Sequence, residues 1–153
     1  MKILQNESTL LYELNGLRVE LENSRDAYFK LENAKEYPDL QQFFRSQYEQ
    51  RLDFSNVIRH ELTVLGQQHT LRGNRNPDRY SYSNFAELVA KRNMPVQELD
   101  MRIIENESHL AQRYQDLLGY KNLPKALDAI LQSQAEQINV KLEKLRLDFE
   151  TIY

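Results

Sequence analysis

The chain has 153 residues with no cysteine, four glycines and four prolines, and 28% of its residues are charged, a balance that favours long surface-charged helices over a β-sandwich. This length is enough for one domain with a buried core, and the lack of cysteine excludes disulfides, thiolate metal sites and cysteine nucleophiles. A formal net charge of −3 indicates neither a nucleic-acid nor a membrane partner. No apolar run reaches the length of a signal peptide or a membrane span, so we expect a cytoplasmic protein.

The first predicted helix carries one long apolar seam. It begins near Ser8, a residue type that caps helices, and it ends at Tyr37-Pro38, because proline disfavours helix at the preceding residue. The seam positions recur at steps of three and four residues: Leu10, Leu14, Leu17, Leu21, Ser24, Tyr28 and Leu31. This spacing is typical of a strongly amphipathic helix.

A second helix is predicted from about Asp39 to a stop at Gly66. Its inner face holds Leu40, Phe44, Phe54, Ile58 and Leu65, and three polar residues fall near that face: Gln47, Arg51 and Glu61. Because only a few residues link the first two helices, they must lie antiparallel.

Residues 67–83 form a predicted loop, since its Gly-Asn-Arg-Asn-Pro-Asp centre has turn chemistry. Asn84 is expected to cap a short helix through Met94 that points Phe85, Leu88 and Val89 inward, with Pro95 ending it.

The third and fourth helices complete the pattern. The third covers roughly 97–119 and is closed by Gly119; its seam is Ile103, Glu107, Leu110, Tyr114 and Leu117. Pro124 starts the fourth, whose seam is Leu127, Leu131, Gln134, Ile138, Leu142, Leu145, Phe149 and Ile152.

Four long helices with two short links and one long link predict an all-α, single-domain, ferritin-like four-helix bundle over residues 1–153. The second helix is roughly 40 Å long, and about 16 extended residues reach roughly 50 Å. The long link can therefore cross back over the bundle, carrying the short extra helix, and make the third helix parallel to the second. Plain up-down-up-down topology is the alternative.

The chain resembles a bacterial ferritin-like four-helix-bundle domain of unknown function, number 2383 in the usual naming. The matching features lie between about residues 8 and 150: Leu14-Asn15, Ala27-Tyr28, Asp39-Leu40, Phe43-Phe44, and Glu107 seven residues before Tyr114. The resemblance implies a bundle with no firmly attached activity, in a stress-related setting. The chain departs from the family at Leu142 and near Gln137, where a His and an acidic residue are often found.

A dimetal centre in such a bundle needs a Glu from each of two helices and Glu-x-x-His from each of the other two. No Glu-x-x-His exists here: Val57 precedes His60 by three residues, Gly66 precedes His69 and Asn106 precedes His109. We expect His60 on the outer face of the second helix, and His109 pointing away from Glu107. The sequence therefore predicts no metal site, no cofactor and no catalytic residue.

Glu107 then requires a structural explanation, because an unpaired buried carboxylate costs several kcal/mol or stays protonated. We predict that Arg51 holds it, with Gln47, Gln134 or Tyr28 completing the hydrogen bonds of an interior polar cluster. The alternative is that Glu107 lies at the edge of the seam and reaches solvent.

Other patterns carry weaker functional hypotheses. Arg72, Arg75 and Arg79 beside Tyr80 and Tyr82 form a loose basic-aromatic cluster, and a solvated loop is the ordinary interpretation.

We therefore expect a non-enzymatic structural or interaction protein, with a second copy or an unknown protein as partner. One alternative is a metal-binding oxidoreductase or storage protein around Glu107. The other is a small-molecule binder with a pocket among Glu107, Arg51 and the seam tyrosines.

Overall fold

The computed structural model describes residues 2–65 and 80–153, with side chains from Thr9 onward. Within that part of the chain all regular elements are helical, which confirms the all-α prediction. The α-helices are α1 (Lys2–Ala34), α2 (Gln41–Val64), α3 (Phe85–Arg92), α4 (Val96–Leu118) and α5 (Lys125–Ile152). None of these helices combines the length and the apolar character needed to cross a membrane.

Internal contacts divide the chain into two compact units, Met1–Glu87 and Leu88–Tyr153. The first unit contains α1, α2 and the first residues of α3, and the second contains the rest of α3 together with α4 and α5. The prediction of a single domain over the whole chain stays a prediction.

Helix α1 extends further toward the amino terminus than expected. It begins at Lys2, so Ser8 lies inside it and the predicted start near Ser8 is wrong. The physical reason is that no Gly or Pro precedes Ser8 to stop the helix. At its other end α1 stops at Ala34, before Lys35 with φ 59°, rather than at Tyr37. A 3-10 turn, Pro38–Leu40, leads directly into α2.

The first unit is built on an antiparallel hairpin of α1 and α2, as predicted. Glu22 pairs with Arg59, Phe29 contacts Tyr48 with ring centroids 5.3 Å apart, and Glu32 lies 3.9 Å from Arg45. In these three pairs the residue numbers rise along α1 and fall along α2, so the two helices are antiparallel. The α1 seam from Leu14 to Leu31 is buried throughout. On α2, Phe44, Phe54 and Ile58 are buried as expected, joined by Leu62.

Residues Tyr80 to Glu87 pack along α1 within the first unit. The Ser81 amide donates to Glu20 Oε1 at 2.9 Å, the Tyr82 hydroxyl lies 2.6 Å from that of Tyr28, and Glu87 pairs with Lys30. From Glu20 to Lys30 these contacts advance about 15 Å along the helix, toward its carboxyl end. The segment therefore runs back along the hairpin, away from the end where α2 stops.

The short helix agrees only in part with the sequence-based prediction. Helix α3 begins at Phe85, and Asn84 has φ 58° rather than the extended backbone of an N-cap residue. Phe85 and Val89 are buried, but Leu88 is exposed, so its predicted inward position is wrong. An eight-residue helix presents only a narrow inner stripe, and Leu88 falls outside it. Gly66, the predicted stop of the second helix, lies outside the described residues.

The second unit is a second antiparallel hairpin, of α4 and α5. Tyr114 bonds Gln134 at 2.6 Å, Ser108 bonds Arg146 at 2.8 Å, and Asp100 bonds Tyr153 at 3.1 Å. Gly119 is the C-cap of α4 and Pro124 the N-cap of α5, as predicted. The predicted seams are buried except at the end of α5, where Leu145 and Phe149 are half-buried and Ile152 is exposed.

Candidate functional site

The five residues of the predicted interior polar cluster are all buried. Tyr28, Gln47 and Arg51 belong to the first unit, and Glu107 and Gln134 belong to the second. Polar groups removed from water need hydrogen-bond partners, so the neighbours of each side chain determine what it can do.

Arg51 is the largest fully buried side chain of the described chain, with no exposed surface. Its guanidinium carbon lies 5.7 Å from the centre of the Tyr28 ring, in the geometry of a cation–π contact. Its Nε donates to Gln50 Oε1 at 3.1 Å. Arg51 and Tyr28 are therefore neighbours, and they meet through the face of the ring. One turn earlier on α2, the buried Gln47 Nε2 has no hydrogen-bond partner among the described residues.

Tyr28 joins two parts of the first unit. Its hydroxyl shares a hydrogen bond with that of Tyr82, and its ring lies 5.3 Å from the Tyr82 ring. The sequence predicts a solvated loop for Tyr80 and Tyr82, beside Arg72, Arg75 and Arg79. Both tyrosines are buried, so that interpretation is wrong for them, because their rings are covered within the fold. The three arginines lie outside the described residues.

Glu20 is a buried carboxylate that the sequence analysis missed. It has no exposed surface, and it accepts the Ser81 amide hydrogen bond. Its position carried a weak signal, because it lies three residues after Leu17 and four before Ser24, at the edge of the seam. Among the described side chains, each unit therefore buries one glutamate, Glu20 in the first and Glu107 in the second.

Glu22, two residues after Glu20 and so on the opposite side of α1, binds two arginines. Arg18 donates to both of its oxygens at 3.0 Å, and Arg59 of α2 pairs with it across the hairpin. Burial raises the pKa of Glu22, but the Arg59 and Arg18 guanidinium groups outweigh burial and hold the pKa below its usual 4.5. Glu22 is therefore an ionised cross-link between α1 and α2.

In the second unit, Gln134 is held by Tyr114. The Tyr114 hydroxyl donates to Gln134 Oε1 at 2.6 Å, and both side chains are buried. Asn106, beside Glu107 in sequence, is also buried, and its Nδ2 has no hydrogen-bond partner within the described part of the chain. Glu107 itself is 1% exposed, so the alternative that it reaches solvent is not supported. Its predicted pairing with Arg51 joins residues of different units and stays a prediction.

The histidines lie where the sequence predicted, as far as they are described. His60 and His109 are exposed, whereas His69 lies outside the described residues. Across residues 2–65 and 80–153, no group of three or more His, Asp and Glu side chains is arranged to hold a metal ion. The positions that depart from the resembling family differ in burial: Leu142 is buried and Gln137 is exposed.

A groove of about 400 Å³ lies on the surface of the second unit. Its lining comes from α4 and α5: Gln115, Leu118, Gln132, Ala135, Glu136, Asn139, Val140 and Glu143. Neither Glu107 nor a seam tyrosine contributes, so this groove is not the small-molecule pocket that the sequence analysis considered.

Comparisons with protein-family models, with curated proteins and with solved structures find no match to this chain. The resemblance to the ferritin-like domain of unknown function is therefore carried only by the motifs from Leu14-Asn15 to Glu107 and Tyr114, and it stays a prediction. What the chain does must be inferred from the chemistry of its buried and exposed side chains.

Proposed function

We propose that the chain is a cytoplasmic, ferritin-like four-helix bundle that acts as a structural or protein-interaction protein and not as an enzyme. One observation carries this proposal. The interior positions where a dimetal bundle needs carboxylates and imidazoles hold Ser24, Gln47, Arg51 and Gln134 instead, all of them buried. A guanidinium group repels cations, and an amide or hydroxyl is a weak ligand for Fe²⁺ or Mn²⁺.

The partners of these side chains support the same proposal. Gln134 Oε1 accepts from Tyr114, the Ser24 hydroxyl donates to the Leu21 carbonyl at 2.8 Å, and Arg51 lies over Tyr28. Each interaction satisfies a buried group with a neighbour from its own unit. Such contacts stabilise a helical hairpin without the help of a bound ion.

The path of the connection supports the ferritin-like crossover. Residues Tyr80 to Glu87 run along α1 toward its carboxyl end, near which α2 begins. A connection that returns along the hairpin is what a crossover needs, whereas an up-down-up-down bundle needs no return of this kind.

Metal content tests the proposed function directly. Protein purified without chelators should contain less than about one-tenth of an equivalent of iron or manganese, because the donor set is poor. Stoichiometric iron or manganese, measured by plasma mass spectrometry, would contradict the proposal.

The second candidate function is a metal-binding oxidoreductase or storage protein with an unconventional carboxylate site around Glu107. The observation in its favour is that each unit buries a glutamate, and carboxylates are hard oxygen ligands. If this candidate is right, metal binds the wild-type protein, and Glu107→Gln lowers the bound metal while helicity stays unchanged. His60→Gln is the matched control, since His60 is exposed.

A further inference from the structure

One side of the α1–α2 hairpin carries exposed aromatic and apolar side chains between two ion pairs. On α1 the stripe is Glu22, Phe29 and Glu32; on α2 it is Arg45, Tyr48, Leu52 and Arg59. Steps of three, four and seven residues place each set along one line of its helix. We call these seven residues the hairpin face.

The centre of the hairpin face is apolar. Phe29 is 46% exposed although it contacts Tyr48, and Leu52 is 36% exposed one turn further along α2. Tyr48 is half-buried. An apolar centre with charged ends has the anatomy of a protein–protein interface.

The charges at the two ends decide which partner fits. Glu32 faces Arg45 at one end, and Glu22 faces Arg59 at the other, so in each pair the acid lies on α1 and the arginine on α2. The other arginines on this side also pair within the chain, Arg18 with Glu22 and Arg25 with Asp26 at 2.9 Å, and Arg45 lies 3.5 Å from Glu49 as well. The Arg45 and Arg59 side chains are 71% and 60% exposed, which leaves their outer edges available.

We propose that the hairpin face binds the same face of a second copy of this chain, about a two-fold axis parallel to the helices. Such an axis lays α1 of one copy on α2 of the other. Phe29 then meets Tyr48 of the partner subunit, Glu32 meets Arg45 of the partner subunit, and Glu22 meets Arg59 of the partner subunit. Each contact occurs twice, as a two-fold interface requires.

The charge pattern selects this axis over the other one available. A two-fold axis perpendicular to the helices would lay α2 on α2 and bring Arg45 near Arg59 of the partner subunit, with Glu22 near Glu32 of the partner subunit. Like charges at both ends oppose that dimer. With the parallel axis, the facing helices run antiparallel and carry opposite charges at both ends. The proposal rests on the structural or interaction role proposed above and names the partner and the surface.

Complementary charge-reversed variants test the pairing. In the acidic variant, Arg45→Glu with Arg59→Glu, all four end positions are negative; in the basic variant, Glu22→Arg with Glu32→Arg, all four are positive. We expect each variant alone to be monomeric and their equimolar mixture to form a heterodimer, because every facing pair is again opposite in sign. Analytical ultracentrifugation measures the masses, and circular dichroism checks that each variant is folded.

Two single substitutions measure the size of the effect on dimer affinity and provide a control. Phe29→Ala removes two symmetric aromatic contacts, and we expect it to weaken the wild-type dimer at least about tenfold. Val140→Glu changes a side chain of α5 that is 66% exposed and absent from the hairpin face, so the dimer affinity should be unchanged.

Three outcomes would overturn the proposal: a wild-type protein that is monomeric up to about 1 mM, where even a millimolar Kd would be detected; dimers formed by the acidic or the basic variant alone; or a mixture of the two variants that fails to associate. None of these bears on the proposed function, which metal content tests separately on the same samples.

Discussion

Tyr114→Phe removes the hydroxyl that holds Gln134 and keeps the ring that packs in the second unit. The lost hydrogen bond is 2.6 Å long, and both side chains are buried, so Gln134 Oε1 is left without that donor. An unsatisfied buried acceptor costs about 1–3 kcal/mol. We therefore expect the free energy of unfolding to fall by about 2 kcal/mol, equivalent to a loss of roughly 4–8 °C in Tm for a chain of this length.

A double-mutant cycle with Gln134→Leu isolates the bond. Leucine is close in size to glutamine but has no amide. The double variant therefore lacks both the Tyr114 hydroxyl and the Gln134 amide, and neither group is left buried without the other. We expect it to be about 1 kcal/mol more stable than the sum of the two single effects predicts. Urea unfolding followed by circular dichroism measures each value, and an unchanged m-value shows that the same surface is exposed. Strict additivity would refute the hydrogen bond as the source of the effect.

Three further predictions use the same unfolding assay. Tyr82→Phe removes the hydroxyl bonded to Tyr28 and should lower the free energy of unfolding by about 1–3 kcal/mol, and an unchanged free energy would count against that bond. If Arg51 holds Glu107, Arg51→Leu should cost about 3–5 kcal/mol and a cycle with Glu107→Gln should show strong coupling, whereas two additive effects would contradict the pair. Because the folded-state pKa of Glu22 lies below its unfolded value, the stability that Glu22 contributes is present above about pH 4.5 and is lost as the pH falls through the folded pKa. Glu22→Gln should therefore flatten the decline of stability below pH 4.5, and equal acid sensitivity of both proteins would count against this.

The apolar seams could be predicted from the sequence because their spacing is a local property of each helix. Leu14, Leu21 and Tyr28 on α1, and Ile103 and Leu110 on α4, are buried as the three- and four-residue steps require. The antiparallel arrangement of α1 and α2 could be predicted from their short link for the same reason.

The errors at Glu20 and Tyr82 concern residues whose environment is set by distant parts of the chain. A glutamate is the residue type expected at an outward-facing position, yet the amide of Ser81, 61 residues away, donates to the buried Glu20 carboxylate. Tyr82 lies in a turn-rich sequence, yet its ring packs on Tyr28, 54 residues earlier. No periodicity over ten or fifteen residues contains that information. The early start of α1 is a different case. Serine is a residue type that caps helices, but α1 already begins at Lys2, so Ser8 lies inside the helix.

The attachment of Ser81 and Tyr82 to α1 has a kinetic consequence for the first unit. The α1–α2 hairpin forms contacts of modest sequence separation, whereas the Glu20–Ser81 and Tyr28–Tyr82 bonds close loops of 61 and 54 residues. Closing long loops costs chain entropy, and the contacts that offset this cost require the surface of the α1–α2 hairpin to be already formed. These bonds should therefore form after the transition state for folding. Weakening them should then accelerate unfolding and leave the folding rate nearly unchanged, so that this attachment sets the lifetime of the folded unit and not the speed at which it forms.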